Sequence, residues 1–107
     1  MEWLRSIRKV ISCLEEHLLD AQEEYDVARE VGISPIYLQK GFHIMTGYSM
    51  AEYVRSRRLY LAALDVIRDK EKVIDLAFKY GYDTPESFSK AFTRFHGLSP
   101  LQLKREP

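Results

Sequence analysis

Tyr25-Asp-Val-Ala-Arg-Glu-Val-Gly32 is echoed downstream by Ile74-Asp-Leu-Ala-Phe-Lys-Tyr-Gly81, an offset of 49 residues. Beyond the two glycines the offset becomes 50, because Asp83-Thr84 stands where the first copy has only Ser34. Pro35 then pairs with Pro85, Leu38 with Phe88, Lys40 with Lys90, Phe42 with Phe92, Gly47 with Gly97 and Ser49 with Ser99. Each copy reads as a short helix, a glycine-containing turn and a second amphipathic helix. That is the sequence form of a helix-turn-helix unit, present twice.

The rest of the chain fits around the repeat. Trp3, Ile7, Val10, Ile11, Leu14, Leu18 and Leu19 fall at helical spacing, so Glu2 to about Leu19 is expected to be an amphipathic helix. Asp20 to Glu24 is a polar break, and Tyr25 to Val31 is the first short helix, ended by Gly32. Ser34-Pro35 and Thr84-Pro85 are start signals, an N-cap hydroxyl followed by proline at the first helical position. Ser49-Met-Ala-Glu52 has the form of a capping box and opens a long helix to about Arg68, with Tyr53, Val54, Leu61, Leu64 and Ile67 among its apolar positions. Asp69 to Lys72 is a charged turn, Val73 to Tyr80 the second short helix, and Ser99-Pro100 starts a last helix to about Lys104. No stretch alternates with strand period. The expectation is an all-α fold of about seven helices. Residues 1–47 form an N-terminal helix-turn-helix subdomain, 48–69 a connecting helix and 70–107 a C-terminal helix-turn-helix subdomain.

Composition narrows the function. The 107 residues are 46% hydrophobic and 30% charged, which suits a globular domain. A single cysteine, Cys13, excludes an internal disulfide and fits a reducing compartment. No apolar run approaches the ~18 residues of a membrane span, and the charged N-terminus does not read as a signal peptide. The expected location is the cytoplasm, with no membrane partner. Formal net charge is zero, yet residues 1–31 hold 4 Lys/Arg against 8 Asp/Glu, and residues 32–107 hold 12 against 8. The basic excess therefore lies on the part of the chain with the recognition helices, where it can serve a polyanion.

In the first recognition helix Leu38, Phe42 and Met45 are expected to face the core, leaving Ile36, Tyr37, Gln39, Lys40 and His43 outward. In the second, Phe88, Phe92 and Phe95 are expected inward, with Glu86, Ser87, Ser89, Lys90 and Arg94 outward. Recognition helices meet base edges with their first turns. Ile36, Gln39, Lys40, Glu86, Ser87, Ser89 and Lys90 are thus the candidate base readers. Gln39 suits adenine, a lysine suits guanine, and Ile36 could pack on a thymine methyl. Tyr37, Arg55, Arg57, Arg58, Lys79 and Arg94 are the candidate phosphate contacts, which position rather than specify. Residues 49–68 would give ~30 Å of helix, close to the ~34 Å between successive major-groove faces. Gly41 costs its helix ~1 kcal/mol relative to alanine and marks a close approach of DNA or of a neighbouring helix.

Asp75-Leu-Ala-Phe-Lys-Tyr-Gly-Tyr82, Ser87-Phe-Ser-Lys-Ala-Phe92 and Phe95-His-Gly-Leu-Ser-Pro100, with Tyr53-Val-Arg-Ser-Arg-Arg58 and the first unit from Asp26 to Gly47, resemble the DNA-binding domain of the AraC/XylS family of bacterial transcription regulators, in its small MarA/SoxS/Rob-like form. The resemblance covers nearly the whole chain. It implies seven helices, sequence-specific binding of double-stranded promoter DNA by two recognition helices in successive major-groove segments, and RNA polymerase as a further partner. By position it carries base reading onto Ile36, Gln39, Lys40, Glu86, Ser87, Ser89 and Lys90. Three residues depart from the pattern and bear on base preference: Ile36 (tryptophan in MarA), Gly41, and the acidic Glu86. The opening Met1-Glu-Trp-Leu4 resembles regulators in which an effector domain follows, which allows for a longer natural chain beyond Pro107 and a small-molecule effector acting through a domain outside it.

Other classes fit less well. His17, His43 and His96 are scattered, no carboxylate pair converges on a catalytic motif, and no glycine-rich phosphate loop is present. No catalytic residue, metal or cofactor is expected. Cys13 and His17 are one helical turn apart, but two ligands fall short of a structural zinc site, and core packing is the expected role. The alternative function is a helical protein-interaction module without DNA binding, which an exposed apolar patch at Ile36-Tyr37 and Ile44 would support.

Overall fold

The computed structural model describes residues 2–20 and 24–105, with side chains placed for all of these except 24–26. Most of the expected polar break and Pro107 lie outside the described residues. Seven helices and no strands make up the described chain: α1 Trp3–Glu16, α2 Glu24–Val31, α3 Pro35–Thr46, α4 Met50–Arg68, α5 Val73–Lys79, α6 Pro85–His96 and α7 Pro100–Arg105. They form two compact units, residues 1–55 and 56–107, and the division falls within α4.

In the first unit α1 contributes Ile7, Val10, Cys13 and Leu14 to the core. Val27 and Ala28 of α2, Ile33 of the turn, Leu38 and Phe42 of α3 and Met50 of α4 close around them. Tyr53 stands edge-on to Phe42, with ring centroids 6.0 Å apart, and its hydroxyl donates to Glu15 Oε2 at 2.7 Å. The Cys13 thiol donates to Glu30 Oε2 at 3.0 Å. In the second unit Leu59, Ala62 and Val66 of α4 meet Leu76, Ala77 and Tyr80 of α5 and Phe88 and Phe92 of α6. The buried positions of α4 are thus Met50, Leu59, Ala62 and Val66, while Ile67 is exposed.

The second unit is locked by a polar cluster. Asp65 accepts from the Tyr80 hydroxyl and from Lys79 Nζ at 3.0 Å, and Lys79 also reaches Glu71 at 3.2 Å. Burial works to raise the Asp65 pKa, but the bonds from Tyr80 and Lys79 outweigh it and hold the carboxyl below its ordinary value. Burial and the same bond push the Tyr80 phenol above its own.

Local chemistry sets the helix ends. Ser34 Oγ accepts from the Tyr37 N–H at 3.3 Å, and Thr84 Oγ1 accepts from the Ser87 N–H at 3.1 Å. Ser49 and Glu52 make the reciprocal capping box at 2.9 and 3.0 Å, satisfying two otherwise orphaned donors. The turns between paired helices pass through Gly32 at φ 81° and Gly81 at φ 87°, a region that side chains with a Cβ disfavour.

Three expectations are corrected. α1 stops at Glu16 rather than near Leu19, because the His17 N–H turns back to the Leu14 carbonyl at 3.2 Å and the His17 ring pairs with Asp20 at 2.8 Å. That bond holds the His17 pKa above its ordinary value. His17 is therefore a partly exposed helix end, while Cys13 alone takes the core role. Met45 and Phe95, expected inward, are 46% and 47% exposed. Both lie in the last turn of their helices, and the buried residues of α3 and α6 end at Phe42 and Phe92.

Candidate nucleic-acid interface

α3 and α6 have the same build: a hydroxyl cap, proline in the first turn, a buried stripe at Leu38 and Phe42 or Phe88 and Phe92, and a glycine end. Their outer faces hold the expected readers. Ile36, Tyr37, Gln39, Lys40 and His43 are exposed on α3. Glu86, Ser87, Lys90 and Arg94 are exposed on α6, and Ser89 is half-buried. Among the described residues no ion pair holds Lys40 or Lys90, so both ammoniums are available to an anionic partner. Ser87 is more committed, since its hydroxyl donates to the Thr84 carbonyl at 2.9 Å and accepts from the Thr84 hydroxyl at 3.0 Å. It helps close the start of α6 as well as facing outward.

The phosphate candidates divide. Tyr37, Arg55 and Arg94 are exposed. Arg57 lies over the Tyr60 ring, 5.1 Å from its centroid, a cation–π arrangement that orients the guanidinium. Arg58 leans on the turn before α6, its Nη1 3.1 Å from where a Cβ on Gly81 would stand. Lys79 is the exception. Its ammonium is held by Asp65 and Glu71, and the Asp65 bond raises its pKa. Two of its three donors are thus committed to carboxylates, so Lys79 ties α4 to α5 within the second unit and has at most one donor left for a phosphate.

Gly41 has a definite neighbour. A Cβ built there would stand 2.3 Å from Trp3 Cζ3, so the indole lies directly on the α3 backbone. The close approach is that of α1, not of a ligand. Trp3 also stacks on Tyr37, with centroids 6.3 Å apart and planes 22° from parallel. Beside the indole runs a groove of about 440 Å³, flanked by Ile36, Lys40, Ile44 and Met45. Nothing local to α3 marked this arrangement beyond the glycine itself. Among the described residues no cluster of His, Cys, Asp and Glu is placed to hold a metal ion, and no helix is long and apolar enough to cross a membrane.

Comparison with known proteins bears on this geometry. Residues 27–106 match the family described as a helix-turn-helix domain. Regulatory protein SoxS of Salmonella typhimurium is 33% identical over 98 residues, which is 92% of this chain and 92% of that protein. The HTH-type transcriptional activator AarP of Providencia stuartii is 33% identical over 94 residues, 88% of this chain and 70% of that protein. A transcriptional regulator from Chromobacterium violaceum with an AraC-type DNA-binding domain shares the fold, with a TM-score of 0.88 at 18% identity, covering 94% of this chain and 90% of that one.

Proposed function

The chain belongs to the AraC/XylS family of helix-turn-helix transcription regulators, which bind DNA sequence-specifically, and on that premise we propose that the outer faces of α3 and α6 are its base-reading surfaces. The observation that carries this is the duplication. Two helices with the same caps and the same buried stripe each present an available lysine at the same position, Lys40 and Lys90. Ile36, Gln39 and Lys40 read one major-groove segment, and Glu86, Ser87, Ser89 and Lys90 read another. Tyr37, Arg55, Arg57, Arg58 and Arg94 meet the phosphates and set the register.

Bound at a promoter, the protein would act on RNA polymerase in the cytoplasm, with any small-molecule effector working through a domain outside this chain. No catalytic role is assigned. Footprinting of Lys40→Ala and Lys90→Ala on a duplex obtained by random-site selection tests the two-surface reading. Each substitution is expected to weaken protection over a different half-site. Loss over the same few base pairs in both variants would refute it.

One observation favours the alternative of a protein-interaction module: Ile36, Tyr37 and Ile44 are 68%, 67% and 79% exposed. A salt titration separates the two. Affinity for duplex DNA that falls steeply with salt supports the DNA reader, and absence of binding to any duplex at low salt supports the module.

A further inference from the structure

The two recognition helices share a frame and differ on the outside. The offset of 50 pairs Ile36 with Glu86, Lys40 with Lys90 and Ile44 with Arg94. Positions four apart lie on one face of a helix, so each trio is a single outer strip. On α6 the strip is Glu-Lys-Arg, a surface for hydrogen bonds and charge. On α3 it is Ile-Lys-Ile, and both isoleucines are largely exposed. Two β-branched aliphatic side chains stand out in water on either side of one cation, on the face assigned to base reading.

The chemistry of the major groove limits what such a strip can recognise. An isoleucine makes no hydrogen bond to a base edge. The thymine 5-methyl is the one apolar group that base pairs present there. The strip carries one positive and no negative group, which complements a polyanion whose groove is lined with methyls. Resting on the assignment of α3 as a base reader, and extending it from the first turn along the whole outer strip to Ile44, we propose that α3 identifies its half-site through thymine methyl groups, met by Ile36 and Ile44, while α6 reads its half-site through polar and charged contacts. Ile36 and Ile44 are eight residues apart, or ~12 Å along the helix axis. With base pairs stacked ~3.4 Å apart, a helix lying along the groove places the two thymines about three to four base pairs from each other, with the Lys40 contact between them.

Deoxyuridine tests this on the DNA side, because it keeps the thymine hydrogen-bonding groups and lacks only the methyl. The probe is a duplex selected by this chain from a random library, its α3 half-site identified as the one where Lys40→Ala loses protection. Replacing each contacted thymidine by deoxyuridine in that half-site is expected to weaken binding about fourfold per methyl, the equivalent of one buried CH₂ group. The same replacement in the α6 half-site is expected to change affinity less than twofold. Ile36→Ala should bind the thymidine and deoxyuridine duplexes equally at its own position, and Ile44→Ala likewise at the other. Both residues are exposed, so neither substitution threatens the core.

Equal affinity for the two duplexes in the α3 half-site overturns the inference while leaving the DNA-binding reading in place. A deoxyuridine penalty that survives unchanged in both alanine variants overturns it as well. Failure to bind any duplex at low salt overturns the DNA-binding reading itself and this inference with it.

Discussion

Gly41→Ala adds one methyl group at a point that Trp3 already occupies. The new Cβ would stand 2.3 Å from Cζ3, 2.4 Å from Cη2 and 3.1 Å from Cε3 of the indole. Carbon atoms settle at about 3.5–4.0 Å, so the ring must retreat by more than ~1 Å. Overpacking of this kind costs about 1–3 kcal/mol, and part of the stacking of Trp3 on Tyr37 goes with it. Against that stands the helix propensity of alanine over glycine, about 1 kcal/mol in favour. The steric effect wins, and the single substitution is expected to destabilise by about 1 kcal/mol. In a Trp3→Ala background nothing remains to collide with, and Gly41→Ala should instead stabilise by about 1 kcal/mol.

The reversal of sign is the decisive quantity, because it isolates the indole contact from every other effect of the methyl group. Urea denaturation followed by helical circular dichroism on the four proteins gives the cycle. Trp3 is the sole tryptophan, so its emission gives a second readout in the Gly41→Ala protein, where a red shift is expected as the ring moves toward water. Stabilisation by about 1 kcal/mol in both backgrounds, with unchanged emission, would refute the placement of Trp3 on α3.

Further predictions concern the second unit and the phosphate contacts. The Asp65 carboxyl is held below its ordinary pKa, so it adds stability that is full above the unfolded value, about 3.9, and is lost as pH falls through the lower folded value. Asp65→Asn should forfeit about 1–3 kcal/mol at neutral pH and flatten the acid limb of the stability curve below about pH 4, as thermal melts from pH 2 to 7 would show. Lys79→Ala should lower thermal stability and leave the salt dependence of DNA binding unchanged; a salt slope reduced by about one would return Lys79 to the phosphate contacts. Arg55→Ala and Arg94→Ala should each reduce that slope by about one and weaken specific and random duplexes by similar factors, and an unchanged slope would remove them from the interface. Glu86→Gln should tighten binding to all sequences equally if the carboxylate acts only by repelling phosphate, whereas loss of a cytosine preference at one position would show a base contact.

What the sequence made legible was local. Ser34-Pro35, Thr84-Pro85, the Ser49–Glu52 box and the turn glycines each act within four residues of themselves, and all appear where their chemistry requires. Periodicity identified the buried Leu38, Phe42, Phe88 and Phe92, but it assigns a side of a helix and not the point where the neighbouring helices end. Met45 and Phe95 share the apolar side of their helices but lie beyond that point, and are exposed. The positive charge of Lys79 was visible, while the nearness of Asp65 and Glu71 depends on the packing of α4 against α5. The outward position of Ser87 follows from helical spacing, while the bonds of its hydroxyl to Thr84 depend on the local cap geometry. Trp3 and Gly41 are 38 positions apart, and only the cost of a mid-helix glycine hinted that something rests there.

The same glycine marks a point where the two copies differ. The offset of 50 pairs Gly41 with Ala91, so the second recognition helix carries a Cβ where the first has none. Elsewhere the buried positions of the copies match in kind: Leu38 with Phe88, Phe42 with Phe92, Val27 with Leu76, Ala28 with Ala77. Each of these sets the spacing between helices, so a change of size there carries a cost of about 1–5 kcal/mol. The outer strips bear no such constraint, and there Ile36 and Ile44 stand against Glu86 and Arg94. Gly41 lies between the two regimes. It is buried, and its neighbour is the Trp3 indole, which packs against the first core on one side and borders the α3 strip on the other. Omitting its Cβ costs α3 about 1 kcal/mol of helix propensity and lets an aromatic plate lie against the helix beside the isoleucines. The loss of helix propensity is thus coupled to the apolar character of the face that α3 presents.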